Sequence, residues 1–306
     1  MNDSEKPLVL LTGATGYVGA RLLSLLEREP IRLRCLARSP DKLQTKVNST
    51  TEVMAGDVLD APSLERALSG AKTAYYLVHL MSNSTDFEKE DRAAATNFAE
   101  AARAAGTRRI IYLGGLGDDS DPELSPHLRS RHEVGRILRD SGVETIEFRA
   151  SMVVGAGSLS YELMKSLTER LPVMICPRWV NVRTQPIAVD DILAYLLAAR
   201  TLPGPGSRIF EVGGSDVVRY LDMIREYARQ RRLHRWQISV PLLTPYLSGL
   251  WLALVTPASY EVGRHLIEGL KNPTIVGDKE ALKVFTIRPV GSGQAIEKAL
   301  AGDQVH

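Results

Sequence analysis

Cysteine is nearly missing from this 306-residue chain: Cys35 and Cys176 are the only two. Two thiols cannot build a disulfide framework, and their positions fit no metal-ligand spacing. The sequence therefore points to a reducing compartment, the cytoplasm. Metal patterns are missing as well, because the six histidines are scattered with no carboxylates at ligand spacing. A surplus of one charge sign is also missing. Thirty-eight Lys and Arg stand against 36 Asp and Glu, a formal net charge of +2, which gives no electrostatic reason to expect a nucleic-acid partner. The opening MNDSEKPLVLLTG is polar and acidic before it turns apolar, so no secretory signal is expected there.

One long uncharged run is present, WQISVPLLTPYLSGLWLALVTPASY, residues 236–260. It is long enough to reach across a bilayer, but Pro241, Pro245 and Pro257 would break a single helix. A helix of about three turns from Tyr246 to Val255, buried or covering a pocket, is expected. The preceding basic RQRRLHR keeps open an alternative, contact with a membrane surface or a protein partner.

What the chain has in abundance is alternation. PLVLLTG, IRLRCLA, EVMAGDV, TAYYLVH, RIIYLGG and ETIEFRAS read as six strands, and helical patterns separate them. That rhythm predicts an α/β fold with a doubly wound parallel sheet, of Rossmann type, over residues 1–150. The helices expected after Ala150 are broken by Pro- and Gly-rich connections. Residues 151–306 are therefore expected to form a smaller, mostly helical, substrate-covering region on the carboxyl ends of the strands.

LTGATGYVGARL places Gly13, Gly16 and Gly19 at three-residue spacing where strand one becomes the first helix. Glycine allows the tight turn, the close approach of backbone to a pyrophosphate, and close helix–strand packing. The helix N-terminus then receives the anion. Thr12, Gly13, Ala14, Thr15, Gly16, Tyr17, Val18 and Gly19 are the expected cofactor loop. NADP(H) is expected rather than NAD(H). An NAD site offers an acid at the end of strand two, whereas this strand ends LRCLARSP, with no acid before Asp41. Arg38, nineteen residues after Gly19, and Arg21, in the first helical turn, are the expected partners of a 2′-phosphate.

A helix with an inward polar pair follows strand five. LSPHLRSRHEVGRILRDSG has Ser125 as N-cap, Pro126 in the first turn and Gly142 at its far end. Leu128, Val134, Ile137 and Leu138 form an apolar stripe. Arg129, His132, Glu133, Arg136, Arg139 and Asp140 fall on the expected solvated side. His127 and Arg131 lie one turn apart inside the apolar stripe.

TGATGYVG, GDV, HLRSR and TQPIAVDDILAYLLAA together resemble the extended and atypical short-chain dehydrogenase/reductase superfamily. YYLVH, YLGGLGDD and MICPRWV resemble its NAD(P)H-binding YbjT-like and NmrA-like branch. The resemblance covers nearly the whole chain. It implies that Asp57 and Val58 flank the adenine, and that Val78, His79, Leu113 and Gly114 line the nicotinamide side. It also puts His127-x-x-x-Arg131 where working members carry Tyr-x-x-x-Lys, so Arg131 would meet the ribose and His127 would act as acid. His79 is a second candidate acid. Asp190 and Asp191 would cap their helix. A substrate would lie near Met152, Tyr161, Met164, Trp179 and Trp251. Two functions remain open: an NADP(H)-dependent oxidoreductase on a small hydrophobic carbonyl or alkene, and a non-catalytic redox sensor, regulator or assembly factor of NmrA type.

Overall fold

The structure, a computed structural model, describes residues 5–80, 86–239 and 271–303, and only the backbone at residues 178, 179 and 239. The chain forms two compact units. The first takes Met1–Gly114, Ser130–Arg149 and Leu193–Phe210, and the second takes Gly115–Arg129, Ala150–Ile192 and Glu211–His306. Residue 150 is thus one of five passages of the chain between them.

The first unit is built on a seven-stranded sheet. In chain order its strands are β1 (Leu8–Thr12), β2 (Arg32–Ala37), β3 (Glu52–Ala55), β4 (Ala71–Tyr76), β5 (Arg109–Gly115), β6 (Glu144–Ala150) and β11 (Arg208–Val212). In space the order is β11-β6-β5-β4-β1-β2-β3. The pairings β1–β2, β1–β4, β2–β3 and β4–β5 are parallel. Every residue of β1 is buried, as expected of a strand covered on both faces. Helices α1 (Tyr17–Leu26), α2 (Pro40–Gln44), α3 (Ala61–Leu68), α4 (Phe87–Ala104) and α5 (Pro126–Asp140) supply the crossovers. Tyr76 is the hub of one core cluster, its ring 4.8 Å from Phe98 and 6.1 Å from Tyr112. The expected Rossmann-type sheet is the observed one, with β11 as a seventh strand drawn from the stretch expected to be mostly helical.

A charged group lies inside this unit. Glu147 of β6 is wholly buried and ion-paired with Arg149 at 2.8 Å and with Arg139 of α5. Gly135 faces the carboxylate so closely that a Cβ there would stand 2.6 Å from Glu147 Cδ. Arg139 therefore does not belong to a solvated face, and neither does His132, which is 8% exposed. Both lie near the margin of the apolar stripe, where neighbouring elements cover more of the helix than its hydrophobic residues alone predict.

At the start of α5, Ser125 accepts from the Leu128 N–H at 3.3 Å, as an N-cap should. Gly142, after its far end, has φ +84°.

The second unit has short paired strands. β7 (Val153–Val154) pairs with β10 (Ile187–Ala188), β8 (Val173–Cys176) with β13 (Trp236–Ser239), and β9 (Arg183–Thr184) with β12 (Val218–Arg219). α6 (Leu159–Arg170), α8 (Tyr220–Gln230) and α10 (Ser292–Asp303) surround a separate core. α7 (Val189–Ala199) and α9 (Glu280–Val284) complete the helices.

Several expectations change here. Tyr161 and Met164 belong to the core of this unit rather than to a pocket lining: Tyr161 is fully buried, packs edge-on to Tyr227 and donates to Asp303 at 3.0 Å. Asp190 and Asp191 do sit in the first turn of α7. Their carboxylates, however, meet Lys298 at 3.2 Å and the Val290 N–H at 2.9 Å, so they tie distant chain segments together instead of capping. The opening of the 236–260 run is strand β13. The rest of that run, with the expected 246–255 helix and Trp251, lies outside the described residues, as does the side chain of Trp179. Among the described residues no helix is long and apolar enough to cross a membrane, and no group of three or more His, Cys, Asp or Glu could hold a metal ion. Both cysteines are buried and unpaired, and burial first, then the nearby Glu27 carboxylate, pushes the Cys35 thiol up to about 12.

Candidate functional site

Between β1 and β4 the order of the sheet reverses, and in such sheets a ligand sits beyond the carboxyl ends at that point. The Thr12 hydroxyl, at the end of β1, donates to the Tyr75 carbonyl at 2.9 Å and fixes the two strand ends side by side. Gly13 follows with φ +77°, a conformation that disfavours any side chain. A Cβ on Gly13 would stand 2.7 Å from the Leu77 carbonyl carbon, and one on Gly19 would stand 2.8 Å from the Gly13 carbonyl carbon. These two glycines are demanded by the protein's own packing.

Gly16 differs. Its backbone is extended at φ −78°, and a Cβ would meet only the Gly13 carbonyl oxygen, at 3.3 Å. Space inside the protein therefore does not require glycine there, whereas close approach of an anion does. Gly16 is also the N-cap of α1, and no side chain caps that helix. The first N–H groups of α1 thus have no side-chain acceptor of their own, which suits a diphosphate. The loop fits a dinucleotide. The Gly16→Val protein is expected to fold like the parent and to bind NADPH at least tenfold more weakly, about 1.4 kcal/mol. Nicotinamide fluorescence titration checks this, and unchanged affinity in a folded variant would overturn the reading of the loop.

Arg38 follows β2 directly, is exposed, and makes no hydrogen bond or ion pair among the described residues. Arg21 is differently placed: its guanidinium lies 4.0 Å from the centre of the Tyr17 ring and donates to the Tyr17 carbonyl at 3.3 Å. Asp57 follows β3. One of its carboxylate oxygens takes the Leu59 N–H at 3.0 Å, and its backbone is pinned through Ser63, while Val58 is buried in the first unit's core.

Past β4 and β5 the side chains converge. Val78 packs on the same core, and His79 Nδ1 lies 3.1 Å from Asp91 Oδ2. Asp91 is on α4 and only 2% exposed. Its other oxygen accepts the Leu80 N–H at 3.0 Å, and the Ser130 hydroxyl of α5 donates to Oδ2 at 2.8 Å. Burial alone would raise this carboxyl. The contacts with His79, the Leu80 N–H and the Ser130 hydroxyl outweigh it and hold the pKa down to about 2.

Next to Ser130, Arg131 is partly buried and donates to the Leu113 carbonyl near the end of β5, with its guanidinium 5.1 Å from the Tyr112 ring centre. The Tyr112 hydroxyl donates to the Arg131 carbonyl at 2.9 Å, and burial pushes that phenol up to about 12. Gly114 is buried, with Tyr112 Cε1 3.2 Å from where its Cβ would be. His127 is half-buried in the first turn of α5. His79, Asp91, Ser130, Arg131 and Leu113 are thus one connected group, of which Asp91 and Ser130 had not been singled out in the sequence. Their signal was angular: Asp91 shares its helical face with Phe87, Ala94, Ala95 and Phe98, all buried.

Comparison with known proteins bears on the family and the fold. A family described as NAD(P)H-binding matches residues 13–167, just over half of the chain. A ceramide reductase of Caulobacter vibrioides is 28% identical over 200 residues, which take in 65% of this chain and 62% of that protein. A (4-alkanoyl-5-oxo-2,5-dihydrofuran-3-yl)methyl phosphate reductase of Streptomyces griseus is 27% identical over 72% of this chain and 73% of its own length. Among solved structures, an NADPH-dependent quinone oxidoreductase of Escherichia coli, complexed with NADPH, superposes with a TM-score of 0.76. Its identity is 18%, with 94% of this chain and 98% of that one covered. A Citrobacter triphenylmethane reductase complexed with NADP(H) gives 0.75 at 15% identity, covering 95% and 99%. At such identities the structures speak for the fold. On the match over residues 13–167, which opens on the glycine loop at the switch point of the sheet, the chain belongs to the NAD(P)H-binding family.

Proposed function

We propose that the protein is an NADP(H)-dependent reductase of a small hydrophobic carbonyl or alkene. The observation that carries the cofactor choice is Arg38. An exposed guanidinium with no partner among the described residues stands at the end of β2, where an NAD site would offer a carboxylate. A 2′-phosphate would give that arginine a charge-assisted, bidentate partner. Arg21, held against Tyr17, makes the smaller contribution. Relatives named as reductases support the reaction class, and the one named for ceramide supports an apolar substrate.

One charge-assisted contact contributes about 1.5–3 kcal/mol, so NADPH should bind tenfold or more tightly than NADH. Arg38→Ala should remove most of that preference by weakening NADPH and leaving NADH nearly unchanged. Fluorescence titration with both cofactors is the measurement, and equal affinities in the parent protein would overturn the assignment.

A second reading, a non-catalytic dinucleotide sensor, draws on the α5 slot. His127 and Arg131 stand where the family resemblance implies a tyrosine and a lysine, and Arg131 is engaged with the Leu113 carbonyl. Tight NADPH binding without oxidation of NADPH by any carbonyl or quinone would favour that reading.

A further inference from the structure

A buried carboxylate is costly unless something satisfies it. Position 91 of α4 faces the core beside Ala94, Ala95 and Phe98, where an alanine would pack without that cost. Asp91 has instead three contacts: His79 Nδ1, three residues past β4, the Leu80 N–H just after it, and the Ser130 hydroxyl of α5. Helix packing needs none of the three. Together they fix the ring of His79, and they tie it to the helix whose next residue, Arg131, reaches the end of β5.

We propose that Asp91 is a positioning residue for His79, and that His79 delivers the proton in the reduction. This rests on the reductase reading above. With Nδ1 engaged by Asp91, proton transfer would run through Nε2. Bound NADPH would supply the hydride to the substrate carbonyl carbon, leaving the π pair on the carbonyl oxygen. An O–H bond forms there as the Nε2–H bond of the imidazolium breaks. The bond's electrons stay on Nε2, His79 becomes neutral, and water returns the proton afterwards. The Asp91 carboxylate keeps its charge throughout and stabilises the imidazolium before transfer. Ser130 holds the carboxylate oxygen that faces His79.

The test uses Asp91→Asn, with cinnamaldehyde (a carbonyl and an alkene together) and menadione as probe substrates. Loss of an orienting partner costs about 10–100-fold, so kcat should fall at least tenfold while KM for NADPH stays near the parent value. The nitrogen NMR shifts of His79, read with NADPH bound and no substrate, should move in the same variant. A merely structural Asp91 would leave those shifts and kcat unchanged in a protein that still folds. Parental kcat in Asp91→Asn, with or without altered shifts, overturns the proposal and leaves the reductase reading standing. If the parent binds NADPH but reduces neither probe, the reductase reading fails and proton delivery with it. The shifts then decide separately whether Asp91 sets the ring. Should the asparagine prevent folding, His79→Gln must abolish turnover with NADPH affinity retained, and Ser130→Ala must lower kcat. Full activity in either variant overturns the proposal.

Discussion

Glu147→Ala should destabilise the protein by about 3–5 kcal/mol, the usual cost of removing one member of a buried ion group. Glu147 has no exposed surface, and the alanine would leave Arg149, 4% exposed, and Arg139 without the carboxylate they share. The charge left behind is the expensive part, more than the lost attraction. A triple variant, Glu147→Leu with Arg139→Met and Arg149→Met, should therefore recover most of the loss, because it leaves no buried charge. Urea denaturation followed by circular dichroism measures both. A loss below about 1 kcal/mol for the alanine variant, within the range of an exposed pair, would show that water reaches the group.

The second large effect is expected at Gly19. Its missing Cβ would lie 2.8 Å from the Gly13 carbonyl carbon and closer still to the oxygen, so Gly19→Ala forces α1 away from the loop. Stability and cofactor affinity should fall together, with NADPH weakened at least hundredfold, about 2.7 kcal/mol. The pairing with Gly16→Val is informative. That substitution should reduce affinity while the thermal midpoint stays near the parent's, because a Cβ at Gly16 has only one neighbour within 4 Å, at 3.3 Å. If Gly19→Ala melts like the parent and binds NADPH normally, the close packing of α1 on the loop has been misjudged.

The central sheet was readable from the sequence because strands covered on both faces must be continuous apolar runs, as LVLLT and RIIYLGG are. The glycine loop was readable because its residues are consecutive and its context, strand then helix, is local. Asp91 was hidden by its neighbours. Glu88, Lys89, Glu90 and Arg92 surround it in the chain, so the segment looks solvated, and only the angle around α4 separates the buried acid from the half-buried ones. His132 and Arg139 were misread for the converse reason. A helix wheel shows which face is apolar but not how far neighbouring elements extend beyond it. The two-residue strands of the second unit left no pattern, since an alternation of period two needs more than two residues to appear.

Arg109 of β5 donates to the carbonyls of Ala199, Arg200 and Leu202, at 2.7, 3.0 and 2.8 Å, and β11 lies beside β6 at the edge of the sheet. A ribosome making this chain has finished six strands by residue 150, yet β6 still has an unpaired rim and Arg109 still lacks its three acceptors. The nascent sheet must wait some sixty residues (from 150 to 208–212) for the strand that closes it. Throughout that interval its open side is available to any other extended segment, whether from a neighbouring polysome or from a chaperone.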